Sequence, residues 1–338
     1  MEIFGSTFDD SVFAEARDRV SVALSSYNAK FCEPEWFCES AALDTEDSLE
    51  KQKVYKFRGD LALRQGDYQK ALDAYSSCLE WIPDNNLTIR RDVLEGMARC
   101  CTGLGQRERA LDVADSLSKD ASNTCHLTSL LLLKVSIHHH FGAMGSKMAS
   151  LQQLCSLLPF NPWHWYNLGQ TCLELVETGR ARVPASCSPQ KCESAGERSV
   201  RQTEEQQEEA GEEREESREE EERIWLKACM CFIRTRLLLR ILRQQQSSFV
   251  LQRSESVLQR TDEALQRLHL KENTLQTLTE VMSEDLIPEK MREENQDGES
   301  LAGLCMQSFG ERWWNKIVLT GLLETDGPQR QRQTDAKP

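Results

Sequence analysis

The sequence predicts an all-α chain, a solenoid of helical hairpins interrupted by one long acidic insertion and closed by C-terminal capping helices. Three observations carry that expectation. The segment from Tyr55 to Pro83 has the spacing of small residues, turn and aromatic expected of one helix-turn-helix unit. Related patterns recur downstream, and thirteen Glu with five Arg crowd between Glu197 and Arg223.

In the first unit, Gly59 and Ala71 are the small residues expected where two helices cross, and Gly66-Asp67 marks the turn. The second helix carries Ala71, Tyr75 and Cys78 on one face and stops before Pro83, whose ring cannot continue a helix. Laying Gly105 over Gly66 aligns Leu94, Ala98 and Cys101 with the first helix, and Ala110, Ala114 and Leu117 with the second. A third, weaker unit runs through Leu131, Val135, Leu151 and Leu154 to Pro159, with Gly142 at its turn. The fourth opens at Trp165-Tyr-Asn-Leu-Gly-Gln-Thr-Cys172. Its second helix resumes only at Lys227, where Ala228, Phe232 and Thr235 repeat the small, aromatic, small spacing.

Residues 179–222 are therefore expected to form a disordered acidic insertion within the fourth unit. The Glu-rich part has a net charge of −8 and almost no apolar side chains, so it cannot bury enough area to offset the entropy of ordering. Loop closure cost grows only logarithmically with length, which makes such an insertion tolerable. The competing reading is a solvated helix held by Glu and Arg four residues apart.

The expected organisation is an aromatic-rich lead-in (1–50), repeats one to three with the first helix of repeat four (51–178), the insertion (179–222), the remaining helices (223–323) and a disordered tail (324–338). Seven of the 23 aromatic residues fall within the first 37 positions, and packing against the repeats is their expected role, a linear motif for another protein the alternative. Leu251, Leu258 and Leu265 recur every seven residues, as in an amphipathic helix capping the array or a short coiled coil. Further helices are expected over 272–282 and 301–323.

Composition narrows the function. The formal net charge of −14 argues against general nucleic-acid binding, which needs a clustered cationic surface. No secretory signal or apolar run long enough to span a bilayer stands out, so an intracellular protein, cytoplasmic or nuclear, with reduced thiols is expected and no membrane partner. The thirteen cysteines show no metal-ligand pairing, and His138, His139 and His140 point around a helix rather than to one side. Neither a Gly-rich phosphate loop nor a nucleophile elbow is present, so no catalytic residue, metal or cofactor is assigned.

The units at 52–176 and 223–246 resemble the tetratricopeptide repeat (TPR) family, with Trp165, Leu168-Gly169 and the Gly59/Ala71 pair at its signature places. Outside the repeats, the order Asp-Asp-Ser-Val-Phe (9–13), Cys-Glu-Pro-Glu-Trp-Phe (32–37), Pro-Phe-Asn-Pro-Trp-His-Trp (159–165) and Phe-Ile-Arg-Thr-Arg-Leu-Leu-Leu (232–239) is similar to a vertebrate family whose human member is encoded on chromosome 8. The TPR resemblance implies a superhelix whose first helices line a concave groove for a peptide or partner helix. In its chaperone-tail form that groove grips a C-terminal carboxylate with Lys, Asn and Arg. Here Lys56 matches, but Asp60, Gly96, Ser129 and Leu133 stand at the other places, and an acidic neighbour repels a carboxylate ligand. A carboxylate clamp is not expected.

The same face offers Lys56, Arg99, Tyr166 and Gln170 as the candidate partner-binding residues, since Tyr and Arg combine contact area with directed hydrogen bonds. A secondary basic stripe, Arg236, Arg240 and Arg243, shares one helix face and suits phosphate, an acidic partner or the chain's own Glu tract. The expected function is a non-enzymatic protein-protein interaction module. The alternative is a permanent subunit of a larger complex, its groove filled by its own termini.

Overall fold

A computed structural model describes residues 33–182, 200–243, 248–287 and 306–318, and every regular element among them is helical. Short-range chemistry sets the first elements. Asp47 accepts the backbone N–H of Leu49 and starts α1 (Ser48–Gln65); Gly66, at φ +79°, ends it and turns the chain into α2 (Tyr68–Trp81), capped by Asp67. Asn86 caps α3 (Leu87–Gly103), which leads through Gly105 at φ +74° to α4 (Arg107–Lys119). Asn123 caps α5 (Thr124–His140), and Gly142 at φ +66° opens the way to α6 (Met144–Leu157). The three turns expected from the sequence thus sit on glycines in the left-handed region, where a side chain would be strained.

Each helix packs on the next from α1 to α7 (Pro162–Arg182), and α1 also meets α3 while α3 meets α5. The contact that orders the first hairpins is small against large. A Cβ at Gly59 would lie 2.6 Å from the Tyr75 ring, and one at Gly96 would lie 2.7 Å from it, so α1 and α3 close on opposite sides of one aromatic side chain. Tyr75 itself is 1% exposed, and its hydroxyl donates to Asp60 at 2.8 Å.

The long helix α8 (Val200–Arg243) packs on α7 over its apolar part and receives α9 (Ser248–Arg267) and α10 (Glu272–Ser283). Phe232 and Cys231 lie against Gly169, where a Cβ would come within 3.1 Å of the Phe232 ring. The pairing of α7 with the segment around Phe232, read across a gap of some fifty residues, is present. On α9 the stripe expected at Leu251, Leu258 and Leu265 is only partly the buried one: Ser254, Thr261, Ala264 and Leu265 are buried, whereas Leu251 and Leu258 are half-buried.

The expected disordered insertion needs correction at both ends. The helix α7 runs to Arg182, and α8 is already helical at Val200, so 200–222 is helix rather than loop; residues 183–199 lie outside the described residues. Two physical terms oppose the loop. A helix nucleated in the buried run beginning at Trp225 extends at low cost, and charge pairs stabilise the extension: Arg218 to Glu222 and Arg223 to Glu219, each at 3.2 Å.

Most of the expected lead-in (1–32) and the whole tail (324–338) also lie outside the described residues. At the edge of the lead-in, Trp36 and Phe37 pack around Phe57 of α1 with ring centroids 6.4 and 5.5 Å away. Arg58 ties this segment down by donating to the carbonyl oxygens of Phe37 and Glu39. Of the helix expected over 301–323, residues 306–318 are helical, with a π-helical turn at Gly310–Trp314. Phe309, Trp313 and Trp314 of this segment are buried, and Trp165 of α7 lies 5.6 Å from Phe309 and 5.1 Å from Trp313.

Candidate functional site

The four expected groove residues lie on three helices, Lys56 on α1, Arg99 on α3, and Tyr166 with Gln170 on α7. Each cation already has an internal carboxylate one turn away. Lys56 pairs with Asp60 at 2.9 Å, and Asp60 accepts the Tyr75 hydroxyl as well; Arg99 pairs with Glu95. Burial first, and the Asp60 carboxylate second, push the Tyr75 hydroxyl well above its ordinary pKa, so it remains the proton donor in this network. Gln170 is half-buried.

Tyr166 belongs to a different setting. With Trp163 and Asn167 it forms the α7 wall of a cleft of about 560 Å³ whose other wall is Gln252, Arg253, Ser256, Val257 and Arg260 of α9. Helical spacing puts Arg253, Ser256, Val257 and Arg260 on one face, while Glu255, Asp262 and Glu263 fall on the flank that borders Arg243. The guanidinium of Arg253 stacks over the Trp163 ring at 5.5 Å. The Tyr166 ring is held from behind by Phe232, 6.0 Å away.

The basic stripe on α8 is largely engaged by that same α9. Arg236 approaches Asp262 at 4.0 Å and Arg243 approaches Glu255 at 3.6 Å, while Arg240 is exposed. Burial, then the neighbouring Arg240, lowers the Arg236 pKa from its ordinary value. The carboxylates that meet the stripe come from α9, a helix that sequence reading treated by its leucines alone.

Comparison with known proteins covers most of the chain. A profile described as a family of unknown function (DUF5588) matches residues 2–204 and 185–318. The chain belongs to the DUF5588 family. It is similar to the human protein titled "Uncharacterized protein C8orf76", with 35% identity over 358 residues and 93% of each chain covered. It is also similar to the rat C8orf76 homolog, at 32% identity over 353 residues with the same coverage. The resemblance to a chromosome 8 family, read from four short segments, therefore holds along the chain.

In this DUF5588 chain the most enclosed charge is one that sequence reading passed over. Arg234 is 0% exposed; it donates to the Met282 carbonyl at 2.7 Å, pairs with both carboxylate oxygens of Asp285, and reaches toward the Pro159 carbonyl. Arg312 of the terminal segment meets the same Asp285 at 3.2 Å. Two arginines from distant parts of the chain thus share one carboxylate and join α8, α10 and the terminal segment. The available signal was that Arg234, with Arg236 two positions on, interrupts the otherwise largely apolar run from Ala228 to Leu239.

Of the nine described thiols seven are buried, and Cys38 and Cys125 are exposed. Cys155, Cys229 and Cys231 are buried and their pKa values are driven up by desolvation, while Cys78 and Cys100 are pushed up to about 11. Among the described residues no group of three or more His, Cys, Asp or Glu side chains is placed to hold a metal ion, and no helix is long and apolar enough to cross a membrane.

Proposed function

We propose that this chain is a non-enzymatic protein-binding module, a TPR-like array that takes a peptide or helix of a protein partner along the face of its first helices. One observation carries the reading. The same small-on-aromatic contact builds the hairpin of α1 and α2, through Gly59 and Tyr75, and the hairpin of α7 and α8, through Gly169 and Phe232. A repeated hairpin of this kind leaves the side chains of α1, α3, α5 and α7 in successive rows, and an extended surface suits a linear ligand.

The test compares partners purified from cells with the wild-type chain and with the fourfold variant Lys56→Ala, Arg99→Ala, Tyr166→Ala, Gln170→Ala, after circular dichroism shows equal helicity. Selective loss of partners from the variant is the expected result. An unchanged partner set removes this face from consideration.

A second reading, a permanent subunit of a larger assembly, draws on Leu49, Leu87 and Leu132, which are 50%, 42% and 43% exposed on α1, α3 and α5. A chain that purifies alone as a stable, soluble monomer argues against it.

A further inference from the structure

The α7–α9 cleft brings together two arginines that no described carboxylate meets. Lys56, Arg99, Lys134, Arg236 and Arg243 all face a carboxylate of the same chain, in a protein with a net charge of −14. Arg253 and Arg260 do not: among the described residues neither has an ion-pair partner, and Arg253 is held only by the Trp163 ring. Both are exposed, and both line an open cleft of about 560 Å³.

We propose that this cleft binds an extended acidic segment of a protein partner, with Arg253 and Arg260 taking two carboxylates and Trp163 with Tyr166 forming the apolar floor between them. The inference rests on the protein-binding reading above and names the chemistry of its ligand. Charge complementarity selects an anion, because two arginines with no carboxylate partner among the described residues offer bidentate donors. Spacing selects the form of the ligand. Seven residues along α9 separate the two arginine backbones by about 10 Å, a distance that an extended strand covers in about three residues. The matching segment therefore carries Asp or Glu at positions three apart with an apolar or aromatic residue between. Gln252 and Asn167 flank the floor as amides able to meet the segment's backbone.

The direct test uses the full-length protein and an array of twelve-residue peptides bearing two Asp at spacings of two, three, four and seven, each beside its Asn counterpart, read by fluorescence anisotropy. The expected result is binding that favours spacing three, weakens as salt rises, and falls at least tenfold in Arg253→Glu/Arg260→Glu. The pair Lys70→Ala/Lys119→Ala, exposed on α2 and α4, leaves it unchanged. No binding of any acidic peptide by the wild type, or equal binding by the Arg253→Glu/Arg260→Glu protein, overturns the proposal. Binding lost in Lys56→Ala/Arg99→Ala but kept in the Arg253/Arg260 variant also overturns it, while leaving the general protein-binding reading in place. Affinity that emerges only when Glu289, Glu293, Glu294, Asp297 and Glu299 are neutralised to their amides assigns the cleft to the chain's own segment and overturns it as well.

Discussion

The helices before His140 and those from Met144 onward solve the same packing problem by different means. The first core is built from neighbours in sequence, with Ala62, Ala71, Ala98, Ala110 and Ala114 letting helices approach and one Tyr75 ring filling the space between Gly59 and Gly96. The second gathers Leu154, Trp165, Phe232, Leu278, Phe309 and Trp313 from five separate elements and places a charged network at their centre. Its hydrogen bonds from Arg234 reach 48 to 75 residues along the chain. One half depends on local turn chemistry; the other exists only once distant segments have met.

Removing the centre of the second core is the harshest way to break that contrast. Arg234→Ala leaves Asp285 enclosed with only Arg312, and breaking a buried pair from one side costs about 3–5 kcal/mol. Urea unfolding followed by tryptophan fluorescence should show Trp165, Trp313 and Trp314 released early, while the helicity of α1–α5 persists to higher denaturant. A single coincident transition would show that the two halves unfold as one cooperative unit.

Acid provides a milder probe of the same half. His164, 6% exposed with its Nε2 lacking a hydrogen-bond partner, has its pKa lowered to about 4 by burial. The unfolded chain therefore binds a proton that the folded chain refuses between about pH 6.5 and pH 4, so stability is full above that window and falls as pH drops through it. The loss attributable to His164 is on the order of 3 kcal/mol at pH 4, and His164→Leu should flatten the pH dependence of urea midpoints. An unchanged slope in that variant would move the acid sensitivity elsewhere.

The same division explains what was legible in the sequence. Hairpins with glycine turns at Gly66, Gly105 and Gly142 are encoded locally, so their positions could be read from spacing. The partner of Arg234 could not, because no local pattern links it to an Asp 51 residues away. The acidic tract was assigned by composition to a loop, yet from Val200 onward helix propagation from a buried anchor decides its form. Tyr166, which the repeat pattern marks as a groove residue, lines the α7–α9 cleft. Arg253 and Arg260 line the same cleft and are not legible in the sequence, because the leucine period dominates the reading of α9 and a charged stripe on the other face of such a helix is ordinarily solvated.

The sharpest test of the contrast is also the smallest, one methyl group added at the equivalent place in each half. At Gly59 a Cβ would sit 2.6 Å from the Tyr75 ring, which Gly96 also confines at 2.7 Å, so the ring has nowhere to retreat. At Gly169 the nearest atoms are the Phe232 ring at 3.1 Å and the Cys231 Cβ at 3.2 Å, a clearance that a few tenths of an ångström would relieve. Both substitutions to Ala gain about 1 kcal/mol of helix propensity. Overpacking of about 1–3 kcal/mol exceeds that gain at Gly59 and roughly cancels it at Gly169. Gly59→Ala should thus lower the thermal midpoint, whereas Gly169→Ala should stay within about 0.5 kcal/mol of wild type, the scale of a tolerated substitution. Equal effects at the two sites would mean that the Tyr75 ring can shift after all, and that the tight first core and the accommodating second core differ in sequence distance but not in rigidity.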